Sequence, residues 1–167
     1  GAFLFCNSLT SIEIPDTVTS INTHQFIGFD YVTSIVISNS VEYIGNSAFE
    51  DNINLEYIEI PGSVKEIDFD AFRDCINIKN IKFNEGLKII RQYAFSNSES
   101  LEEAILPEGI ETIEYGAFEA SSIKKIYIPN SVVSVEFGLL HWCDKLESIT
   151  LPDLPVKNYT EKCLGYL

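Results

Sequence analysis

A unit of 23 residues recurs along the chain, and this period restricts the fold more than any other feature of the sequence. Written from its first apolar residue, the unit reads L-x-x-I-x-I-P-x-x-V-x-x-I-x-x-x-A-F-x-x-C-x-x. A single unit of this size cannot bury its own apolar residues and has to stack on its neighbours, so the period predicts a solenoid. Seven copies are present, the fifth one residue shorter, and they begin at Leu9, Val32, Leu55, Ile78, Leu101, Ile123 and Leu146.

The repeat continues without a linker or a shift in composition, which predicts a single domain over residues 1–167. We expect about seven coils, with a partial coil at 1–8 and an irregular tail at 153–167, where Pro155, Val156 and Tyr159 depart from the template. The sequence contains no Met and starts inside a repeat. We therefore expect it to be a fragment, with any signal or anchor outside it.

Charge and hydropathy limit the possible partners. The formal net charge is −14, with 11 Lys and Arg residues. Nucleic-acid binding requires basic patches that neutralise phosphates, so no nucleic-acid partner is expected. Apolar residues make up 46% of the chain, but no run of them approaches the roughly 18 residues that span a bilayer. We expect no membrane contact from this part of the protein.

Each coil is predicted to contain two short strands and one corner. Apolar and polar residues alternate at the start of the unit, as in Leu55 to Ile60, which is typical of a half-buried strand. In five copies a proline follows this strand and ends the hydrogen-bond ladder between coils, because proline has no N–H to donate. A second extended stretch and a one-turn helical corner carrying Ala-Phe complete the coil. The first strands are expected at 12–14, 35–37, 58–60, 81–83, around Ile105, 126–128 and 149–151, and the stacked rings are those of Phe26, Phe49, Phe72, Phe95 and Phe118.

The order strand, proline, strand, Ala-Phe-x-x-Cys resembles the BspA-like class of leucine-rich repeat over residues 2 to about 152. Ser38 and Asn84 replace the proline in two copies. The resemblance implies an α/β leucine-rich-repeat solenoid that is right-handed. A parallel β-sheet would line its concave face, with short second strands and one-turn helical corners on the convex side. It also implies a non-enzymatic protein-binding scaffold, extracellular or at the cell surface, associated with adhesion and binding a host or extracellular-matrix protein.

The cysteines are predicted to be buried free thiols. Cys6, Cys75 and Cys143 occupy one slot of the repeat. Stacked strands lie ~4.8 Å apart, so Cys6 and Cys75, three coils apart, would be separated by roughly 14 Å. A disulfide requires Cα atoms within about 7 Å. Cys143 and Cys163, in neighbouring coils, are the one pair left that can bond.

Side chains that alternate with the inward strand residues should form columns on the concave face. One column alternates in charge through Glu56, Lys79, Glu102, Lys124 and Glu147, which we interpret as a ladder that fixes register. Apolar and aromatic side chains interrupt the neighbouring columns. Exposed aromatic residues ringed by charge favour protein interfaces, although such residues also suit strands for their own sake. The candidate protein-binding residues are Val36, Tyr57, Glu59, Lys82, Glu103, Ile105, Lys125 and Tyr127.

No catalytic, cofactor-binding or metal-binding residues are expected. His24 and His141 lie five coils apart, roughly 24 Å, and cannot act together. A parallel β-helix enzyme acting on polysaccharide would need clustered carboxylates, whereas lysines separate the acids of adjacent coils here. A structural spacer that carries another domain is the remaining alternative.

Three aspartates have a spacing that resembles a metal site, Asp68, Asp70 and Asp74. Asp70 is better interpreted as a cap for the helical corner, and Arg91 is expected to neutralise Asp68. The only Trp, Trp142, is expected to pack under the irregular tail.

Overall fold

The computed structural model describes residues 8–136 and 138–152, which form thirteen β-strands and no helix. The first strand of each coil is the longer one, and we call these the front strands. They are β1 Ser11–Ile14, β3 Ser34–Ile37, β5 Tyr57–Ile60, β7 Asn80–Phe83, β9 Glu103–Ile105, β11 Lys125–Tyr127 and β13 Ser148–Thr150. The back strands are β2 Ser20–Ile21, β4 Tyr43–Ile44, β6 Glu66–Ile67, β8 Ile89–Ile90, β10 Thr112–Ile113 and β12 Ser134–Val135.

All paired strands are parallel and in the register that the repeat predicts. Ile12 pairs with Ile35, one period later, and Ile58 pairs with Ile81. The back strands form one six-stranded sheet, whereas the front strands form a four-stranded sheet from β1 to β7 and a three-stranded sheet from β9 to β13. The predicted parallel solenoid is confirmed, but the front sheet is divided between β7 and β9. No helix able to cross a membrane occurs in the described ranges.

The predicted one-turn helical corners, and with them the α/β class, are wrong. In the Ala-Phe corners, backbone N–H groups that bond to the next coil alternate with N–H groups that bond to a carbonyl three residues back, as Ala71 N does to Asp68 O. Phe49 N donates to Ala71 O, Phe72 N to Ala94 O and Phe95 N to Ala117 O, each at 2.8 Å. Left-handed residues flank the corner on both sides, with φ values of 55° at Asp70 and 57° at Asp74. A right-handed helix cannot include residues with positive φ values. The conformation of the corner is therefore determined by the stacking of one coil on the next.

The stacked phenylalanines form the centre of the core, as predicted. Phe49, Phe72, Phe95 and Phe118 are fully buried, and Phe26 is 6% exposed. Successive ring centroids lie 5.1–5.5 Å apart, with the planes nearly parallel. The alanine that precedes each of the last four rings in this column is also fully buried, at positions 48, 71, 94 and 117. Its small side chain allows the close approach of consecutive corners.

The cysteine slot holds a small hydrogen-bond donor in five coils, at positions 52, 75, 98, 121 and 143, and Phe29 in the first. Each of its described buried residues donates to the carbonyl of a core phenylalanine, as Cys75 Sγ does to Phe49 O at 3.2 Å. The other donors are Asn52, Ser98, Ser121 and Cys143. Cys75 and Cys143 are buried free thiols, as predicted. The Cys6 prediction and the Cys143–Cys163 pairing involve residues outside those described.

Native protein is expected to react with a thiol reagent at Cys75 far more slowly than unfolded protein does. The side chain is fully buried, and this burial raises the pKa of the Cys75 thiol well above its ordinary value. Since the thiolate is the reactive form, both access and ionisation are limited. Peptide mapping by mass spectrometry after timed labelling distinguishes Cys75 from the other cysteines. Rapid labelling of native Cys75 would contradict its inward placement.

Candidate protein-binding face

The outward side chains of the front strands form one surface, which we call the front face. Most of its positions are polar, as expected for the solvent side of a strand. Three of the predicted site residues are exposed and apolar or aromatic: Val36 is 59% exposed, Tyr57 43% and Ile105 61%. These values differ sharply from those of the inward neighbours, since Ile35 is 5% exposed and Ile58 is fully buried.

Tyr57, Glu59 and Lys82 lie in direct contact on β5 and β7. Lys82 Nζ donates to Glu59 Oε1 at 2.7 Å, and the Tyr57 hydroxyl donates to Glu59 Oε2 at 3.4 Å. Asn84 Nδ2 also donates to Glu59 Oε1, at 2.9 Å. The hydrogen bonds from Lys82 and Asn84 lower the pKa of the Glu59 carboxyl. Glu59 is therefore an ionised acceptor that fixes the side chains around it.

The other half of the candidate site lies on β9 and β11. Glu103 pairs in register with Lys125, and Ile105 with Tyr127. The Tyr127 hydroxyl donates to Glu108 Oε1 at 3.0 Å, which holds the ring over the strand ends. Half-buried Tyr127 and exposed Ile105 thus form an adjacent pair of apolar surfaces.

The division of the front sheet passes through the candidate site. Tyr57, Glu59 and Lys82 belong to the four-stranded sheet, and Glu103, Ile105, Lys125 and Tyr127 belong to the three-stranded one. Val36 lies on β3, beside a shallow depression at the ends of β1 and β3. Sequence reasoning missed Asn84 and Glu108, which position the site residues. For Asn84, the sequence signal was the replacement of the proline that follows the front strand in five copies. No sequence feature marked Glu108.

Some neighbouring residues of the alternating charge column form ion pairs. Lys79 Nζ lies 3.0 Å from Glu56 Oε2, and Lys124 Nζ lies 2.7 Å from Glu102 Oε1. No ion pair joins Lys79 to Glu102 across the division of the sheet, although both residues are described. The column therefore stabilises register within each front sheet and not between them.

The carboxylates considered for a metal site have other partners. The hydroxyl of Tyr43 donates to Asp68, and Arg91 binds Glu66 at 2.8 Å and Glu114 at 2.5 Å. The expectation that Arg91 neutralises Asp68 is therefore wrong, because Glu66 projects from the back strand beside it. The described residues contain no group of three or more His, Cys, Asp or Glu side chains arranged to hold a metal ion.

Asp70 is not the expected helix cap, because the corner is not helical. Its side chain is 7% exposed, its Oδ1 has no hydrogen-bond partner, and its Oδ2 lies 3.7 Å from Arg73. Burial raises the pKa of the Asp70 carboxyl from 3.8 to about 6, although Arg73 opposes the shift. The folded state thus binds the proton more tightly than the unfolded state, and stability falls as pH rises from about 4 to about 6.

Replacing Asp70 with Asn should therefore raise the free energy of unfolding at pH 7 by about 1–2 kcal/mol. This is less than the ~3 kcal/mol that a two-unit pKa shift represents, because the variant loses the attraction to Arg73. Asn also tolerates the left-handed backbone at this position. Urea unfolding at pH 4, 5, 6 and 7 measures the effect. An unchanged pH dependence between the parent and Asp70→Asn would show that another group titrates.

His141 and Trp142 lie at the last corner. Their rings stack with centroids 4.3 Å apart, and the Trp142 side chain is 64% exposed. The tail under which Trp142 was expected to pack lies outside the described residues, so that expectation stays a prediction.

Comparison with known proteins identifies the repeat. The profile of the BspA type leucine rich repeat region matches residues 1–121 and 65–166, in six copies. The chain belongs to this family. The comparison with curated proteins gave no match. Membership in the BspA-type family agrees with the parallel coils, the buried Phe column and the small donor that follows it.

Solved structures of bacterial leucine-rich repeat proteins share the fold. A leucine-rich repeat protein of T. pallidum is 27% identical, with a TM-score of 0.81, covering 86% of this chain and 70% of that one. One from Bacteroides ovatus is 23% identical, with a TM-score of 0.76 over 84% of this chain. The pneumococcal vaccine antigen PcpA is 20% identical, with a TM-score of 0.65 over 86% of this chain. This BspA-type chain spans only 37% of the B. ovatus protein and 51% of PcpA.

Proposed function

We propose that this chain is a protein-binding scaffold of an extracellular or cell-surface protein, and that its front face contacts a host or extracellular-matrix protein. The observation that carries the proposal is the exposure of Val36, Tyr57 and Ile105 on a face whose other outward positions are mostly polar. Interfaces favour aromatic and apolar anchors surrounded by a polar rim. Glu59, Lys82, Glu103 and Lys125 supply that rim.

The likeness to PcpA, a pneumococcal vaccine antigen, and to a leucine rich cell surface protein of Faecalibacterium prausnitzii supports a location outside the cell. Both are 20% identical or less, so they support the fold directly and the location only by analogy. The adhesion role expected of BspA-like proteins is part of the same proposal.

The pKa shifts of the front-face carboxyl groups argue against a parallel β-helix enzyme. A general acid in a glycosidase needs a raised pKa. On the front face the pKa of Glu59 is lowered by Lys82 and Asn84, and the pKa of Glu102 is lowered by Lys124. Neither carboxyl therefore holds a proton near neutral pH. No observation favours the spacer alternative over a binding face.

Photo-crosslinking tests the proposal. Ile105 on the front face and Val133 next to the back strand β12 are both 61% exposed, which makes them a matched pair. A photoreactive phenylalanine analogue at each position is irradiated in an extracellular-matrix extract, and adducts are separated by mass. We expect adducts from position 105 that are absent from position 133. Equal crosslinking from both positions, or crosslinking from position 133 alone, would contradict the front-face assignment.

A further inference from the structure

The first coils of the chain carry acidic side chains without basic ones. Residues 1–64 contain eight Asp and Glu residues and no Lys or Arg, whereas all 11 Lys and Arg residues come later. Only two of the eight acids form ion pairs within the described ranges, Glu56 with Lys79 and Glu59 with Lys82. Interfaces bring opposite charges together, so the first two coils favour a basic segment of a partner.

The depression at the ends of β1 and β3 lies within these two coils and has a volume of about 380 Å³. Its lining combines two kinds of exposed surface, since Pro15 and Val36 are apolar and Glu13 and Asp16 supply two carboxylates. The Glu13 carboxylate has neither a hydrogen bond nor an ion pair to any described residue. Arginine and lysine side chains have an apolar stem and a cationic head, which match the two kinds of surface.

Ser38, one of the two residues that replace the proline of the repeat, holds one of these carboxylates in place. Its hydroxyl accepts from the Ser40 N–H at 3.1 Å and donates to Asp16 Oδ1 at 2.5 Å. The turn does not need this hydroxyl. Val41 N donates to Ser38 O at 3.1 Å, and the proline of the next coil accepts the equivalent bond at the same distance. The serine therefore positions Asp16 and is not required by the turn.

The second replacement of the proline acts in the same way. Asn84 Nδ2 donates to Glu59 Oε1 at 2.9 Å, so both replacements bond to a carboxylate of the preceding coil. The two carboxylates differ in charge compensation. Glu59 pairs with Lys82 at 2.7 Å, whereas no Lys or Arg of the described residues pairs with Asp16. The position next to Asp16 is thus open to a cation from a partner.

We propose that the depression beside Val36 binds an arginine or lysine side chain of the protein partner, and that Ser38 is a positioning residue for this contact. The stem of the bound side chain packs on Val36 and Pro15, and its cationic head bonds to the carboxylates of Glu13 and Asp16. This inference rests on the proposed function and names the chemistry that the first coils of the front face recognise.

NMR titration of the protein with the peptides acetyl-Gly-Arg-Gly-amide and acetyl-Gly-Lys-Gly-amide tests the contact. Val133 is the matched control for Val36, because it is 61% exposed but lies beside Glu111, which is already ion-paired. We expect saturable shifts at the Val36 methyl groups and at the amides of Glu13 and Asp16, and none at Val133. The uncharged citrulline peptide should bind about fivefold more weakly than the arginine peptide, or less tightly still. No saturable shift at Val36, or equal affinity of the citrulline peptide, would overturn the proposal.

Charge removal on the protein is the second test. Glu13→Gln/Asp16→Asn removes both carboxylates at nearly constant volume and should weaken binding of the arginine peptide about fivefold or more. Glu85→Gln is the matched control, since Glu85 is exposed and occupies the slot of Asp16 three coils later, outside the depression. It should leave the affinity unchanged, and equal affinities of the two variants would overturn the proposal.

The role of Ser38 is tested by two substitutions at the same position. Ser38→Pro restores the repeat template and removes the hydroxyl, whereas Ser38→Thr keeps a hydroxyl. Affinity for the arginine peptide should fall about threefold or more in Ser38→Pro and recover in Ser38→Thr, with little change in denaturant unfolding. A loss in both variants or in neither would overturn the role of Ser38. If the peptides fail to shift Val36 while crosslinking from position 105 persists, this inference fails and the front-face function stands.

Discussion

Replacing Phe72 with alanine should lower the free energy of unfolding by about 3–5 kcal/mol, the usual cost of truncating a buried phenylalanine. The ring is fully buried and stacks on two neighbours, with centroids 5.1 Å from Phe49 and 5.2 Å from Phe95. Its removal leaves a cavity in the centre of the array, which the rigid coils on either side cannot fill. Denaturant unfolding monitored by circular dichroism measures the change.

Ile105→Ala is the matched control, because it also shortens an apolar side chain but at a position that is 61% exposed. Exposed substitutions usually shift stability by no more than ~0.5 kcal/mol. If Phe72→Ala costs less than about 1 kcal/mol, the phenylalanine column is not the core of the solenoid.

Replacing Tyr57 and Tyr127 together with alanine should weaken binding of the partner by about 2 kcal/mol or more, a loss of roughly 30-fold in affinity. The two rings lie on opposite sides of the division of the front sheet between β7 and β9, so a ligand that spans the site contacts both. Stability should change little, because neither ring lies in the buried core. Titration calorimetry with the partner identified by crosslinking measures the affinity.

Tyr31→Ala provides the control for a general loss of surface aromatic area, since Tyr31 is 53% exposed in a turn outside the front face. It should leave the affinity unchanged. A double variant that binds as tightly as the parent would place the interface elsewhere, on the back strands or in repeats beyond the described residues.

The repeat alone was enough to predict the parallel register and the core. A fixed period returns each apolar residue to the same phase, so Ile58 has to lie beside Ile81 and Phe72 beside Phe95. Period-2 alternation identified the outward residues, including exposed Ile105. These features follow from the local sequence pattern and from the stacking of repeated units. Both can be read from one sequence.

The corners and the division of the front sheet were not predicted, for two different reasons. The Ala-Phe corner resembles a helical turn locally, but hydrogen bonds to the next coil stabilise left-handed residues such as Asp70 and Asp74. The division of the front sheet lies between β7 and β9, where two inward positions depart from the isoleucine or leucine of the other copies, Phe83 and Ala104. Each is an ordinary core substitution, so the repeat template predicted a continuous sheet.

Hydroxyl-radical footprinting of the complex tests most directly the central claim that the front face is the interface. Tyr57, Ile105, Tyr31 and Trp142 are all between 43% and 64% exposed, so all four should be oxidised in the free protein. On binding the partner, oxidation should fall at Tyr57 and Ile105 and remain unchanged at Tyr31 and Trp142. Protection of Tyr31 or Trp142 with no change at Tyr57 and Ile105 would contradict the assignment.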